Sequence, residues 1–260
     1  MNNYIDTHTH LFCEEFDGDR EAAVARAVEA GVGRLCLPSI NKASLAPLFA
    51  MCDKYKGVCY PMVGLHPTDV ATDYKEQLAV MREFLADNRV IAVGEVGLDF
   101  YWSEEFRAEQ YEAFETQIGW ARDTNLPLAI HSRNAFKELV DIMEKYRGAG
   151  LCGVFHCFSG TEEEAEALLA HEGFFLGIGG VLTYKNSTLP RVLAGVPLER
   201  LVLETDSPYL APVPRRGKRN ESAYIPYIAE ALSRIYGCTP ERVAEVTTEN
   251  ALRLFPKIER

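Results

Sequence analysis

The sequence VIAVGE at residues 90–95 is a short apolar run that ends in a carboxylate, and PLAIH at residues 127–131 is a second run that ends in a histidine. Apolar runs of this length are typical of buried strands. Between them, residues 104–123 carry apolar side chains at spacings of three and four, which places Phe114 and Ile118 on one face of a helix. The segment therefore predicts a strand, a crossover helix and a second, parallel strand.

The same alternation recurs on both sides of this unit. The predicted strands are residues 4–8, 34–38, 59–64, 90–95, 127–131, 153–157, 174–179 and 201–205. Eight strands with helical connections predict an α/β fold of the (β/α)8 type, a TIM barrel, as a single domain over residues 1–260. A doubly wound open sheet is the structural alternative.

Helix boundaries are marked by glycine, threonine and proline. Residues 20–30 form an amphipathic stretch, and Gly31 stands where that helix would end. Near the C-terminus, Thr239-Pro240 predicts an N-cap and a first-turn proline for a last helix that reaches Phe255. Before residue 200, only a short helix fits between the last two strands.

Composition excludes several classes of protein. The chain has 27 basic and 38 acidic side chains, and its formal charge of −11 argues against nucleic-acid binding over the whole surface. One basic cluster, RRGKR at residues 215–219, remains as a local exception. No apolar window approaches the roughly 18 residues that span a bilayer, and the N-terminus does not resemble a secretory signal. Seven cysteines without a C-x-x-C pair indicate reduced thiols, so we expect a cytoplasmic protein that binds no membrane.

Histidines and carboxylates fall where the predicted strands end. Strand one ends in IDTHTH at residues 5–10, and His8 and His10 can converge on one ion because alternate residues of a strand share a face. Later strands end at Glu95, His131, His156 and Asp206. In a parallel barrel, the carboxyl ends of the strands gather at one mouth, where active sites are built.

Each of these residues, taken singly, has an ordinary explanation as a core histidine or a helix cap. Chance explains the joint pattern poorly, because four of the six histidines lie at predicted strand ends together with two carboxylates. Six nitrogen and oxygen ligands are too many for one tetrahedral zinc and suit two divalent ions. Such a pair of ions lowers the pKa of bound water, so the pattern indicates a catalytic site.

Seven motifs in order along the chain resemble the TatD family of metal-dependent deoxyribonucleases. They are DTHTHL at 6–11, VGLHP at 63–67, GEVGLD at 94–99, HSR at 131–133, FHCFSG at 155–160, LETDSPYL at 203–210 and RGKRNE at 216–221. The resemblance extends from residue 4 to about residue 255. It implies a TIM barrel of the metallo-dependent hydrolase superfamily.

The resemblance also implies a ligand set and an activity. One metal would be held by His8, His10 and Asp206, a second by His131 and His156, and Glu95 would be shared between them. Family members are DNases with 3′–5′ exonuclease or apurinic-site endonuclease activity, usually supported by magnesium or manganese. Zinc also suits this histidine-rich set.

We therefore expect a two-metal phosphodiesterase that cleaves DNA with a metal-activated hydroxide. Asp206 is the expected proton acceptor, and Glu95 is the second expected catalytic residue. The expected partner is a DNA substrate, single-stranded or at a 3′ end. No obligate protein partner is predicted.

Residues near the mouth are candidates for substrate binding. His66 can donate a hydrogen bond to a phosphate or merely fix a turn, and Arg133 can bind a phosphate or form a surface ion pair. Arg216, in the basic cluster, can contact the phosphate backbone, and Tyr209 can stack on a base, although a solvated charge run is the common alternative. Further candidates are Asp99 as a support for a ligand and Tyr101 and Trp102 as stacking residues, whereas His171 is interpreted as structural.

Two other functions are compatible with the sequence. The first is hydrolysis of a small-molecule or aminoacyl-tRNA ester or amide, since the same hydroxide attacks carbonyls. Many binuclear hydrolases use a carboxylated lysine as the bridge, and Glu95 in that place favours the nuclease. The second is a barrel that binds without cleaving, which the full ligand set argues against.

Overall fold

A computed structural model describes residues 4–259. The strands are β1 (Tyr4–Asp6), β2 (Val32–Pro38), β3 (Cys59–Met62), β4 (Val93–Asp99), β5 (Leu128–Arg133), β6 (Gly153–Phe155), β7 (Phe174–Ile178) and β8 (Leu201–Leu203). The α-helices are α1 (Arg20–Glu29), α2 (Leu45–Lys54), α3 (Tyr74–Phe84), α4 (Arg107–Thr124), α5 (Phe136–Lys145), α6 (Glu162–Leu169), α7 (Leu189–Leu193), α8 (Ile225–Tyr236) and α9 (Pro240–Leu254). Every strand is followed by a helix, as the sequence predicts.

The strands form one closed barrel. Parallel pairing runs in the order β1-β2-β3 and, separately, from β4 through β8. Backbone hydrogen bonds join these two groups at both seams. They include Thr7 N to Leu203 O at 3.0 Å, Asp206 N to His8 O at 2.9 Å, Ile91 N to Pro61 O at 3.0 Å and Gly94 N to Val63 O at 3.0 Å. Neither seam is left as a free edge, so the (β/α)8 prediction is confirmed and the open sheet is excluded.

The barrel interior is filled by side chains that the strands point inward. Ile5, Met62, Ala129 and Val202 belong to this buried cluster, and Phe255 at the end of α9 packs onto it. The chain after α9 lies at the amino-terminal end of the barrel, because Lys257 Nζ donates to the carbonyl of Val90, just before β4. The opposite end carries the candidate site.

Helix boundaries agree with the sequence signals. α1 ends before Gly31, which has φ 85°. Thr239 caps α9, since its side chain accepts from Arg242 N, and Pro240 is the first helical residue. Between β7 and β8, α7 has only five residues, as expected.

β4 is longer than the sequence indicates. We expected this strand to end at Glu95, but it continues to Asp99 with every residue buried. Its register against β5 shifts between Gly94 and Val96, so Glu95 is the extra residue of a bulge, a feature that redirects a side chain. The expectation was wrong because buried carboxylates are rare, and a glutamate therefore suggests the end of a strand.

All seven cysteines lie in the described part of the chain and are free thiols. None of the helices within residues 4–259 is long and apolar enough to span a membrane.

Gly97 permits the close approach of β4 to β5. Its φ is 141°, a conformation that L side chains rarely adopt. A Cβ atom at this position would lie 2.0 Å from the carbonyl oxygen of His131. The absence of a side chain at Gly97 therefore helps to position a candidate metal ligand.

Gly97→Ala is expected to lower the free energy of unfolding by about 2–6 kcal/mol, because backbone strain and overpacking each cost ~1–3 kcal/mol. Gly119→Ala in α4 is the matched control, since nothing lies within 4 Å of its Cβ position. That control is expected to gain about 0.5–1 kcal/mol from helix propensity. Urea denaturation of both variants tests the pair, and equal effects would contradict the close approach.

Candidate metal centre

His8 and His10 follow β1 directly. The backbone there runs beside the end of β8, because His10 N donates to Ser207 O at 2.8 Å. Thr9 points the other way, and its hydroxyl contacts Ser207 Oγ at 2.6 Å. The predicted alternation therefore holds, and both imidazoles face the same space at the barrel mouth.

Glu95 lies between two pairs of histidines, and its side chain is only 3 % exposed. Its Oε2 atom is 3.1 Å from His8 Nε2 and 3.6 Å from His10 Nε2. Its Oε1 atom is 2.9 Å from His131 Nδ1 and 2.8 Å from His156 Nε2. Each oxygen of this carboxylate thus faces a separate group of nitrogen donors, as a ligand shared by two ions would.

Asp206 adds a carboxylate to the side of His8 and His10. Its Oδ1 atom is 3.5 Å from His10 Nε2 and 3.9 Å from His8 Nε2. Its φ of 55° lies in the left-handed region, which aspartate tolerates better than most residues. Because its side chain is 15 % exposed, Asp206 reaches both the histidines and the solvent side of the centre.

His66 lies within the cluster. Its Nε2 atom is 3.3 Å from Glu95 Oε1, and its ring is edge-on to that of His131 with centroids 4.6 Å apart. Its Nδ1 atom accepts a hydrogen bond from Thr68 N at 3.1 Å. In a neutral imidazole, this leaves the ring proton on Nε2, where it can be donated into the centre.

Two carboxylates support the histidines from their outer edges. Asp99 Oδ2 is 2.9 Å from His131 Nε2. Glu204 Oε1 is 3.3 Å from His156 Nδ1 and accepts a hydrogen bond from Cys157 N at 2.6 Å. Carboxylates in such positions orient an imidazole and increase its basicity as a ligand.

A supporting role was predicted from the sequence for Asp99, but not for Glu204 or Asp6. Glu204 precedes Asp206 by two residues, the same spacing as in the His-x-His motif, and this signal was available. Asp6 precedes His8 by the same two-residue spacing, so the signal was available there as well. It is fully buried and joins β1 to β8 by accepting from Thr205 N at 2.9 Å and Thr205 Oγ1 at 2.6 Å. Burial raises the pKa of Asp6 to about 7 despite the hydrogen bonds from Thr205.

The electrostatics favour an ionised carboxylate at the centre. Burial alone would raise the pKa of Glu95, but the charges of His156, His66 and His8 outweigh it and hold that pKa well below its usual range. Burial would likewise lower the pKa of His156, yet Glu95 and Glu204 raise it well above its ordinary value. Cations that bind here would displace protons from the imidazoles.

The donor set fits two divalent ions. It consists of imidazole nitrogens and carboxylate oxygens, which suit zinc, manganese and related metals. Separations of 2.8–3.9 Å among these atoms resemble the roughly 3–4 Å between ligands that share an ion at about 2.0–2.2 Å. The first group consists of His8, His10, Asp206 and Oε2 of Glu95, and the second of His131, His156 and Oε1 of Glu95.

Two predicted substrate contacts lie near this centre. Arg133 ends β5 and stacks on Tyr101, with its guanidinium carbon 3.6 Å from the ring centroid. It forms no ion pair with any residue that the structure describes. Tyr209 is 51 % exposed, and its ring is 6.4 Å from that of His10. Both side chains are therefore available at the mouth.

The basic cluster at residues 215–219 is only partly available. Arg219 pairs with Asp19 at 2.6 Å, so it has a structural partner. Arg216 is exposed, with its guanidinium carbon 4.3 Å from the ring centroid of Tyr184. The cluster thus offers fewer free cations than its sequence indicates.

His171 lies outside the centre. It follows α6, and its Nε2 atom is 3.6 Å from a carboxylate oxygen of Glu144. Its ring packs edge-on against Phe174 with centroids 6.1 Å apart. The structural interpretation of this histidine fits these contacts.

Comparisons with known proteins identify the family. A family model described as TatD related DNase matches residues 5–256. The chain belongs to the TatD family. The uncharacterized metal-dependent hydrolase YabD of Bacillus subtilis is 38 % identical over 96 % of this chain and 98 % of its own length. The 3′-5′ ssDNA/RNA exonuclease TatD of Cronobacter sakazakii is 34 % identical over 97 % of this chain and 98 % of its own length.

A solved structure supports the same assignment. The crystal structure of YJJV, a TatD homolog from Escherichia coli K12, superposes with a TM-score of 0.91 at 30 % identity. The alignment covers 97 % of this chain and 98 % of that one. The resemblance and the barrel predicted from sequence are thereby confirmed, and the chain is a metal-dependent hydrolase of this family.

Asp99→Asn is expected to weaken metal binding on the His131 side by about 10–100-fold, because the neutral amide no longer increases the basicity of the imidazole. Isothermal titration of the chelator-treated protein with zinc or manganese measures the change. Asp141→Asn, an exposed carboxylate on α5, is the control and is expected to bind as the unaltered protein does. Unchanged affinity in Asp99→Asn would refute the orienting role.

Proposed function

We propose that this TatD-family hydrolase is a single-domain enzyme that cleaves phosphodiester bonds of single-stranded DNA from the 3′ end, with two divalent ions. The observation that carries the proposal is Glu95, whose two oxygens face separate groups of histidines. Paired metal ions are a common device for displacement at phosphorus. Relatives named 3′-5′ ssDNA/RNA exonuclease, 30–34 % identical over nearly the whole chain, support the substrate class. Cleavage at abasic sites is a second form of the same activity.

Magnesium or manganese is the proposed metal, with zinc as the alternative that histidine ligands favour. When bound, such ions would lower the pKa of a water molecule and offset negative charge on the phosphate oxygens. The seven free thiols support a reducing compartment, the cytoplasm, as the place of action.

Asp206 is the proposed proton acceptor. Burial would raise its pKa, but His10, whose Nε2 is 3.5 Å from Oδ1, and the charges of His156 and His8 lower it, so the carboxylate is ionised at neutral pH. Its Oδ1 atom faces His10, which leaves Oδ2 to accept a proton from the attacking water. Glu95 has a different role. Because it is buried between the histidines, it is suited to binding the metal ions and not to transferring a proton.

The remaining predicted residues would bind the strand. His66 would donate from Nε2 to a phosphate oxygen, since its Nδ1 is already used as an acceptor. Arg133 and Arg216 would contact phosphates, and Tyr209 would stack on a base near His10. These contacts are local, which suits a protein whose overall charge is −11.

Hydrolysis of a carbonyl ester or amide, such as an aminoacyl-tRNA ester, is the second candidate. It is favoured by the small number of free cations, because Arg219 of the basic cluster is paired with Asp19. A substrate with one phosphate or none would need fewer cations than a bound strand.

The activity is tested with chelator-treated protein, 5′-labelled single-stranded DNA and RNA, and added magnesium, manganese or zinc. A ladder that shortens from the 3′ end is expected. Asp206→Asn is expected to reduce kcat by about 10²–10⁴-fold, because the proton acceptor is lost. Asp123→Asn, an exposed carboxylate at the end of α4, is the matched control with unchanged kcat.

Metal content is measured on every variant, so that a lost ion is not mistaken for a lost base. Intact oligonucleotides with every metal, together with turnover of aminoacyl-tRNA or small esters, would refute the nuclease and establish the second candidate.

A further inference from the structure

Exposed aromatic side chains are concentrated at the barrel mouth. Among residues 4–259, the large hydrophobic side chains that remain exposed include three aromatic ones, namely Tyr101, Trp102 and Tyr209. Trp102 is the most open at 71 % exposed, and Tyr101 is 50 % exposed. Both lie between β4 and α4, just beyond the carboxyl end of a barrel strand. Contiguous exposed apolar surface is a feature of interaction and ligand-binding sites.

Tyr101, Trp102 and Arg133 form one unit, which we call the aromatic platform. The two rings meet edge to face with centroids 4.9 Å apart. The Arg133 guanidinium carbon is 3.6 Å from the Tyr101 centroid and 5.3 Å from the Trp102 centroid. Arg133 thus covers Tyr101, while the indole of Trp102 stays open to solvent.

The aromatic platform is joined to the metal centre through one carboxylate. Asp99 Oδ1 accepts a hydrogen bond from Tyr101 N at 2.9 Å, and Asp99 Oδ2 is 2.9 Å from His131 Nε2. On the neighbouring strand, Arg133 is two residues beyond His131 and pairs in register with Asp99. The platform is therefore fixed to the edge of the centre by backbone and side-chain contacts.

The chemistry of the platform selects its occupant. An open indole binds a flat π-system by stacking, and a neighbouring guanidinium adds attraction for negative charge. Because no carboxylate among the described residues pairs with Arg133, its charge is available to a ligand. A flat ring attached to a phosphate satisfies both groups, whereas a cationic partner can satisfy only the indole and a purely aliphatic partner satisfies neither.

We propose that the aromatic platform is a nucleobase subsite: Trp102 stacks on an unpaired base of the substrate strand, while Arg133 binds an adjacent phosphate. This subsite rests on the proposed nuclease function and deepens it. Stacking requires a base freed from its partner, so the subsite selects single-stranded over duplex substrate. Trp102 acts in binding and takes no part in the chemical step.

Intrinsic fluorescence offers a direct test, because the chain has two tryptophans and Trp120 is buried in α4. In the metal-loaded Trp120→Phe protein, a phosphorothioate oligothymidylate that resists cleavage is expected to quench the emission of Trp102. The same oligomer with abasic residues is the control for phosphate contacts, and it is expected to leave the emission unchanged. Equal quenching by both oligomers, or none by either, would overturn the base-stacking proposal.

Kinetics provide the second readout. Trp102→Ala is expected to raise KM for single-stranded DNA roughly 5- to 100-fold, since loss of one stacked base costs this much in affinity, with kcat nearly unchanged. Trp102→Phe is expected to restore most of the loss, and Trp120→Phe should keep the original KM. Unchanged KM in Trp102→Ala, with DNA still cleaved, would refute the subsite and leave the nuclease function standing.

The two proposals fail in different ways. If no nucleic acid is cleaved, the proposed nuclease function is refuted. The fluorescence measurement still decides whether Trp102 binds bases. If the Trp102 emission shifts with protein concentration and no oligonucleotide is present, the platform contacts a second copy of the chain. That result would overturn the nucleobase assignment.

Discussion

A carboxylate buried to 3 % exposure, as Glu95 is, remains ionised only where positive charge or hydrogen-bond donors surround it. Here the surroundings are imidazoles that follow or belong to different strands, with His8 facing one oxygen and His131 and His156 facing the other. The centre therefore exists only if the barrel closes and brings these strands together. The bulge in β4 contributes as well, because it releases the Glu95 side chain from the regular register.

Closure at the site depends on buried polar contacts. Asp6 accepts two hydrogen bonds from Thr205 and so joins the first strand to the last, next to the place where His8 and Asp206 emerge. Glu204 and Asp99 support histidines from behind in the same way. The ligands of the centre are thus held by buried contacts, whereas residues such as Trp102 and Tyr209 lie on exposed connections beyond the strands. Rigid scaffolds that carry binding residues on loops are the usual arrangement in barrel enzymes.

Much of this architecture is predictable because local rules govern it. Apolar periodicity located the strands and helices, and cap residues such as Thr239 located helix ends. His8 and His10 could be identified as a pair since alternation along an extended chain depends only on the backbone. The end of β4 was predicted wrongly, because a glutamate inside a buried strand violates the same local rules. Glu204 was missed although its spacing from Asp206 repeated the pattern of the histidines.

The amino-acid sequence alone determined the order of strands and helices, the residue types at the strand ends and the membership of the TatD family, since each depends on neighbours along the chain. Only the tertiary structure decided which oxygen of Glu95 faces which histidine, that His66 Nδ1 accepts from Thr68 N, and that Arg219 pairs with a carboxylate whereas Arg133 has no carboxylate partner among residues 4–259. These properties depend on contacts between residues far apart in sequence. Their geometry is determined when the barrel closes and contacts between side chains replace contacts with water.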